Sequence, residues 1–264
     1  MTQTPLPAKN DKSRIQSIGK MLGVLTSFST QHRKLTLGQI SVATGLPRPT
    51  AHRMLSALRE VGFIEQEPRG GTYSLGIRLF ELGSLALANT DLLREARPFM
   101  DRLSRLAGET AHLGVFNGFE VIVVEREDPG ERSVHGMQPS ESCPSYCTGV
   151  GKAVLGFQPP EVLDRVIGQG LKPYTGNTLT EPQRLREEMA RIRKQGYALD
   201  DCEHQLWVRC VAAPIRNATG QVFAALSVTG PADRMTLMRL EQLAPLLMQT
   251  ADSVSRQLGY EAGI

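Results

Sequence analysis

The chain has 264 residues, 41% of them apolar, too long for one small domain and apolar enough for two cores, so two domains are expected. No apolar run approaches the roughly 18 residues of a membrane span, and the opening MTQTPLPAKNDK lacks the apolar segment of a secretory signal, so a cytoplasmic protein with no membrane partner is expected. The net charge of +3 is uneven: residues 1–76 carry ten Lys and Arg against four acids and the remainder 20 against 23, so one end suits a polyanion and the other does not.

Ile15, Ile18, Met21, Leu22 and Leu25 recur at helical spacing and predict a first helix with one apolar stripe, preceded by a disordered tip over residues 1–13. Thr36 can cap a second helix, LGQISVAT, in which Leu37, Ile40 and Ala43 share a face. Gly45 ends it, supplying the positive φ of a tight turn. Pro47 and Pro49 open a third helix over 47–61, with Ala51, Met54, Leu55 and Leu58 inward. Arg48, Thr50, His52 and Arg53 are left on its exposed first turns, where a recognition helix meets the major groove. Residues 62–64 and 72–75 read as two short strands around Pro68-Arg69-Gly70-Gly71, a basic wing whose Arg69 is placed to meet a phosphate or the minor groove.

Residues 14–76 are therefore expected to form a winged helix-turn-helix that binds double-stranded DNA through Arg48, Thr50, His52, Arg53 and Arg69, with Thr36 as a further candidate. A three-helix protein-interaction module has the same helix count, but the charge, the helix-Gly-helix turn and the basic hairpin agree on DNA. Thr36 also has a purely structural use as a cap, and His52 as an ordinary surface residue.

Helical spacing continues from 76 to 108, interrupted at Asn89, Thr90 and Asp91. This predicts a linker helix over 77–92, then a domain over 93–264 whose first helix turns Phe99, Met100, Leu103 and Leu106 inward. Ile77, Phe80, Leu82 and Leu85 spread over several linker faces, which suits a helix covered by a second subunit. AHLGVF and FEVIVVERE flank Asn117-Gly118, a strong hairpin signal. Further strands are expected at 133–137, 207–215 and 221–229, and helices at 149–156, 160–167, 181–195 (capped by Thr180) and 236–258. Antiparallel strands with helices beside them make this domain α+β.

Gly149-Val150-Gly151-Lys152 is no phosphate loop, because Tyr146 and Ala153 stand where that loop has Gly and Ser or Thr. A Gly-rich helix start does offer amides and a favourable dipole to a carboxylate; the same glycines could serve only to let the helix pack closely. Cys143, Cys147, Cys202 and Cys210, with His204, raise the alternative of a metal- or thiol-dependent sensor or enzyme. No paired ligand spacing appears among them, so reduced thiols, no metal, no cofactor and no catalysis are expected.

GLPRPTAHRML, GFIEQ, YSLG, CTGVGKAVL, RKQGYALDDCEH and FAALSVTGP, in this order over residues 14–258, resemble the isocitrate lyase regulator (IclR) family of bacterial transcription factors. The resemblance implies a dimer or tetramer whose C-terminal domain has a GAF-like antiparallel sheet with flanking helices and binds a small organic-acid effector. Matched one at a time, the effector residues would be Gly149, Val150 and Gly151, then Asp200 of ALDDCEH, Cys210, and Ser227 with Thr229, which lie two apart on one strand face. Tyr146 and Val208 join them. Asp200 has the alternative of a structural cap, and against a bound anion it would need a proton or a hydroxyl between them. Tyr146 and Cys147 stand where a smaller or more polar pair is common, and Trp207 adds bulk beside Val208, which favours an aromatic acid over a two- or three-carbon one. The expectation is a regulator whose paired heads meet a near-palindromic operator while the acid controls repression or activation.

Overall fold

The computed structural model describes residues 11–29, 32–67, 71–88, 92–130 and 137–261. It divides into two units, Met1–Asn89 and Thr90–Ile264.

In the first unit, α1 (Asp11–Leu25), α2 (Leu37–Thr44) and α3 (Arg48–Glu60) are joined by a three-stranded antiparallel sheet, ordered β1 (Leu35–Thr36), β3 (Thr72–Leu75), β2 (Ile64–Gln66), and followed by α4 (Ile77–Ala88). Val24, Ile40, Leu55, Leu58, Ile64 and Tyr73 anchor its core. Thr36 starts α2 with a reciprocal capping box: its hydroxyl accepts from Gln39 N, and the Gln39 side chain accepts from Thr36 N. Gly45 ends α2 at φ 67°. Ala51, Met54, Leu55 and Leu58 are all buried on α3. At Gly76 a Cβ would overlap the Gly62 carbonyl, so only glycine lets β3 leave the hairpin this closely.

Three expectations for this unit are corrected. The α1 stripe is Met21, Val24 and Leu25, with Phe28 packing beside them from just beyond the helix, and leaves Ile18 and Leu22 exposed at 59% and 55%. Ala43 is exposed as well, since α2 turns Ile40 rather than Ala43 to the core. The two-residue strand β1 was not anticipated; it is too short to carry an alternating pattern and exists because β3 pairs with it. Asp11, Lys12 and Ser13, read as part of the tip, belong to the first turn of α1. Arg69, the wing tip 68–70 and the interruption at 89–91 lie outside the described residues.

The second unit is built on a six-stranded antiparallel sheet in the order β6-β5-β4-β9-β8-β7, comprising β4 (Thr110–Phe116), β5 (Glu120–Glu127), β6 (Ser142–Pro144), β7 (Ala198–Asp201), β8 (Val208–Arg216) and β9 (Val222–Pro231). Each strand divides its residues between two cores by alternation. Val211, Ala213 and Ile215 of β8 pack with α5 (Leu92–Ala107) and α9 (Leu237–Gln257). Cys210 and Ala212 pack on the other face with α6 (Gly149–Leu155), α7 (Pro160–Gly168) and α8 (Pro182–Gln195).

β6 and β7 were missed, being three and four residues long without a hydrophobic alternation that marks a strand. Trp207 precedes β8 instead of opening it and is 79% exposed, so it belongs to neither core. The N-cap of α8 is Glu181, one residue after Thr180, with no side-chain cap bond. Leu106 is exposed, because the inward face of α5 runs through Leu92, Ala96, Met100, Leu103 and Ala107. Of the strand expected at 133–137, residues 133–136 lie outside the described residues and Met137 is not in a strand.

Candidate functional site

The exposed side of α3 carries the expected DNA-facing side chains. His52 and Arg53 are exposed and fall between the buried positions Ala51 and Met54, Arg48 is exposed, and Thr50 is half-buried. Arg48 reaches back to α2, where a Cβ on Gly38 would come within 3.4 Å of its Nη2. Thr36 is exposed but committed to its capping box. Arg59 donates to the Gln66 side chain (2.6 Å), tying the far end of α3 to β2. The unit thus presents a short basic helix face held rigid from behind.

In the second unit, Gly149, Val150, Asp200, Val208, Cys210 and Thr229 line one recess. Tyr146, Gly151 and Ser227 do not line it. Gly151 is a packing residue: a Cβ there would stand 2.5 Å from Ser145 Cα, and its N–H is taken by the Thr148 hydroxyl that caps α6 (3.2 Å). Gly149 is needed in the same way, since its Cβ would come 2.5 Å from Cys210 Sγ. Close packing therefore requires both glycines, and Gly149 lines the recess as well. Tyr146 donates its hydroxyl to Lys172 O (2.8 Å) and begins a chain of rings, 6.5 Å from Tyr174, which is 4.9 Å from His204 on the recess wall. Met137, Thr148 and Gln205 also line the recess and were not anticipated. They come from loops and a cap, where no residue pattern points to a shared site.

The recess has a free volume of about 20 Å³, room for roughly one water. Its floor is polar. Register pairs set Asp200 opposite Cys210, Cys210 opposite Thr229, and Thr229 opposite Thr110; the next row on the same face holds Ala212, Ser227 and His112. Ser227 Oγ, Thr229 Oγ1 and both ring nitrogens of His112 are buried and make no hydrogen bond of good geometry among the described residues, although the Cys210 thiol stands near both hydroxyls and the Met137 carbonyl near the imidazole. Burial raises the Asp200 carboxyl to about 7, with the neighbouring Glu203 adding to it and Lys152 opposing. A carboxyl raised in this direction is the kind that can hold the proton a bound anion requires. Asp200 Oδ1 also accepts from Glu203 N (2.8 Å), so its structural use is real as well.

Beneath α6, the wholly buried Lys152 pairs with Glu203 and with Glu188 (3.4 Å), and Arg191 pairs with Glu188. Burial alone would lower the Lys152 pKa, but the two carboxylates outweigh it and raise it. This network was invisible in sequence, because its members are 36 and 51 residues apart.

All four cysteines are free and buried. Burial pushes the Cys143 and Cys210 thiols up to about 12 and raises Cys147 and Cys202 too, which works against the thiolate that ligation or nucleophilic attack needs. Among the described residues, no group of three or more His, Cys, Asp or Glu could hold a metal ion, and no helix is long and apolar enough to cross a membrane.

The IclR helix-turn-helix domain matches residues 17–68, and the bacterial transcriptional regulator IclR C-terminal domain matches residues 84–256. The chain belongs to the IclR family of bacterial transcriptional regulators. It is similar to the HTH-type transcriptional regulator XynR of Escherichia coli K12, at 32% identity over 94% of this chain and 99% of that protein. An IclR transcriptional regulator from Silicibacter sp. TM1040 superposes with a TM-score of 0.86 at 28% identity, covering 94% of this chain and 98% of the other. An IclR homolog from Microbacterium hydrocarbonoxydans, solved in complex with 4-hydroxybenzoate, superposes with a TM-score of 0.75 at 28% identity over 92% of this chain and 98% of that one. This IclR-family chain is thus a DNA-binding transcriptional regulator with a helix-turn-helix head, α+β in class, and its curated relatives are regulators rather than enzymes.

Proposed function

We propose that this regulator binds a small organic acid, with an aromatic one favoured, in the recess between α6, β7 and β8, and that the acid sets its operator affinity or its activation. The observation that carries this reading is the pair of buried hydroxyls of Thr229, on the recess wall, and Ser227, next to it on the same strand face, neither of which makes a hydrogen bond of good geometry among the described residues. A buried polar group without a partner costs about 1–3 kcal/mol, and a ligand that completes the set removes that cost. Asp200, with its carboxyl raised to about 7, supports the choice of an anion. His204, on the recess wall with the Tyr174 ring 4.9 Å behind it, supports an aromatic one, as does the 4-hydroxybenzoate held by the Microbacterium homolog. Trp207 adds nothing to this, being exposed and absent from the lining.

A recess of about 20 Å³ admits such an acid only when its walls part, so the acid selects a wider state. It regulates to the extent that this state has a different DNA affinity. DNA contact is assigned to Arg48, Thr50, His52 and Arg53, with Arg69 at the wing tip. Residues 77–92, which join the heads to the effector domain over 93–264, carry the coupling. Exposed Ile18, Leu22, Ile77, Phe80 and Leu82 support a homo-oligomer and, with it, a near-palindromic operator.

Two variants test the two halves separately. Arg53→Ala should weaken operator binding about tenfold, on the order of the 1–3 kcal/mol of one good contact, in a gel-shift titration, with the thermal shift produced by 4-hydroxybenzoate unchanged. The double variant Ser227→Ala, Thr229→Ala should keep basal DNA binding and lose that thermal shift; a retained shift would remove these hydroxyls from the site.

A further inference from the structure

His112 is the residue of AHLGVF that takes part in no function assigned so far. It sits in the middle of β4, wholly buried, and among the described residues neither ring nitrogen makes a hydrogen bond of good geometry. Its ring faces the α6 side of the sheet: it pairs in register with Ser227, which pairs with Ala212, and Ala212 Cβ lies 3.5 Å from where a Cβ on Gly149 would be. Cross-strand partners have Cβ atoms about 5 Å apart, so Ala212, Ser227 and His112 form a strip leading from beneath the α6 start, past the recess, to the strand beyond. Met137, on the recess wall, has its carbonyl close to both His112 and Arg126. The strip lies one register row behind the lining residues Cys210 and Thr229, with Met137 of the recess wall close to its far end.

Building on the organic-acid reading above, we propose that His112 and Ser227 form a distal subsite that recognises a neutral hydroxyl at the far end of the effector, while Thr229 and Asp200 hold its carboxylate. The effector class is then a monocarboxylic acid bearing a hydroxyl opposite the carboxylate.

The charge environment chooses a hydroxyl over a second carboxylate. Burial, followed by the nearby Arg126, lowers the His112 pKa to about 4, so the imidazole is neutral and offers one donor and one acceptor. A hydroxyl, itself donor and acceptor, matches that pair. A second carboxylate would need a cation, and the neighbouring Arg126 guanidinium is engaged by Asp128 at 3.0 Å while Lys152 is engaged by Glu188 and Glu203. An apolar end would leave the imidazole and the Ser227 hydroxyl as they are now, buried and without a hydrogen bond of good geometry. Sites built to hydrogen-bond a hydroxyl reject the analogue lacking it strongly for this reason.

The test is calorimetric titration of the full-length protein with 4-hydroxybenzoate, benzoate and terephthalate, and with 6-hydroxyhexanoate, hexanoate and adipate. In each series that binds, the hydroxy acid should bind at least about tenfold tighter than the parent acid and the diacid. His112→Phe should erase the preference over the parent while leaving affinity for the parent within about threefold; His112→Gln, which keeps a donor and an acceptor, should restore part of it and serves in place of the Phe variant if that fails to fold. A wild type without the hydroxyl preference, or a preference that survives both substitutions, overturns the distal subsite and leaves the organic-acid reading standing. If wild type binds none of the six acids, the underlying reading fails and the subsite with it.

Discussion

The two units place their informative polar residues in opposite surroundings. In the head, His52 and Arg53 project outward from a helix whose other face is wholly apolar. In the second unit, Asp200, Ser227, Thr229, His112 and Lys152 are buried on or beside one face of a sheet. A surface meant for a polyanion needs only exposed charge at the right helical positions, whereas a site for a small molecule needs polar groups withdrawn from water and left incomplete. The first arrangement stabilises nothing by itself and costs little; the second makes stability sensitive to every member.

That contrast ranks the expected effects. The largest belongs to Lys152→Met, which leaves Glu203 buried without its cation and Glu188 with Arg191 alone; breaking such a pair costs about 3–5 kcal/mol. Urea denaturation should show this as a lower midpoint, and a loss under about 1 kcal/mol would mean that the carboxylates simply take up protons. By comparison, the exposed pair Lys34–Glu67 in the head should be worth no more than about 1 kcal/mol.

A smaller, pH-dependent effect is expected at Asp200. Its folded pKa of about 7 lies above the ordinary 3.8, so the folded chain holds a proton that the unfolded chain has released across this interval. The stability contributed by that proton is complete below about pH 4 and lost as pH rises through 7. Asp200→Asn carries no such proton, so wild type should lose stability relative to it from pH 5 to 8, as read by denaturation at each pH; parallel curves would show that Asp200 is ionised throughout.

The smallest effect is in the head. Thr36→Ala removes the capping box of α2 and should cost about 1 kcal/mol, with operator affinity falling only as far as the head unfolds. A loss of affinity in a head that remains fully folded would promote Thr36 from a cap to a DNA contact.

Much of the head was legible in sequence because its signals are local. The buried stripe of α3, the Thr36 cap and the Gly45 turn each lie within a window of a few residues, and all three appear as expected. The α1 stripe was misjudged by including Ile18 and Leu22 and omitting Val24, because the packed face is centred on Met21, Val24 and Leu25 and is set by which side of the helix meets the neighbouring core. In the effector domain the hairpin around Asn117 was legible for the same local reason, although the loop is longer than a two-residue turn, with Asn117 Oδ1 accepting from Phe119 N and Glu120 N. β6, β7 and His112 were not legible as parts of one sheet face, because strand neighbours are chosen by pairing across long separations.

By itself the sequence determined a basic helix-turn-helix head, a second α+β domain and membership of a regulator family, all of which follow from periodicity, caps and short ordered motifs. Only the tertiary structure decided that Gly149 and Gly151 leave no room for a side chain, that Lys152 is a buried counter-ion, and that His112 stands beside Ser227. Burial and cross-strand register arise from contacts between distant segments, and no local window of residues contains them.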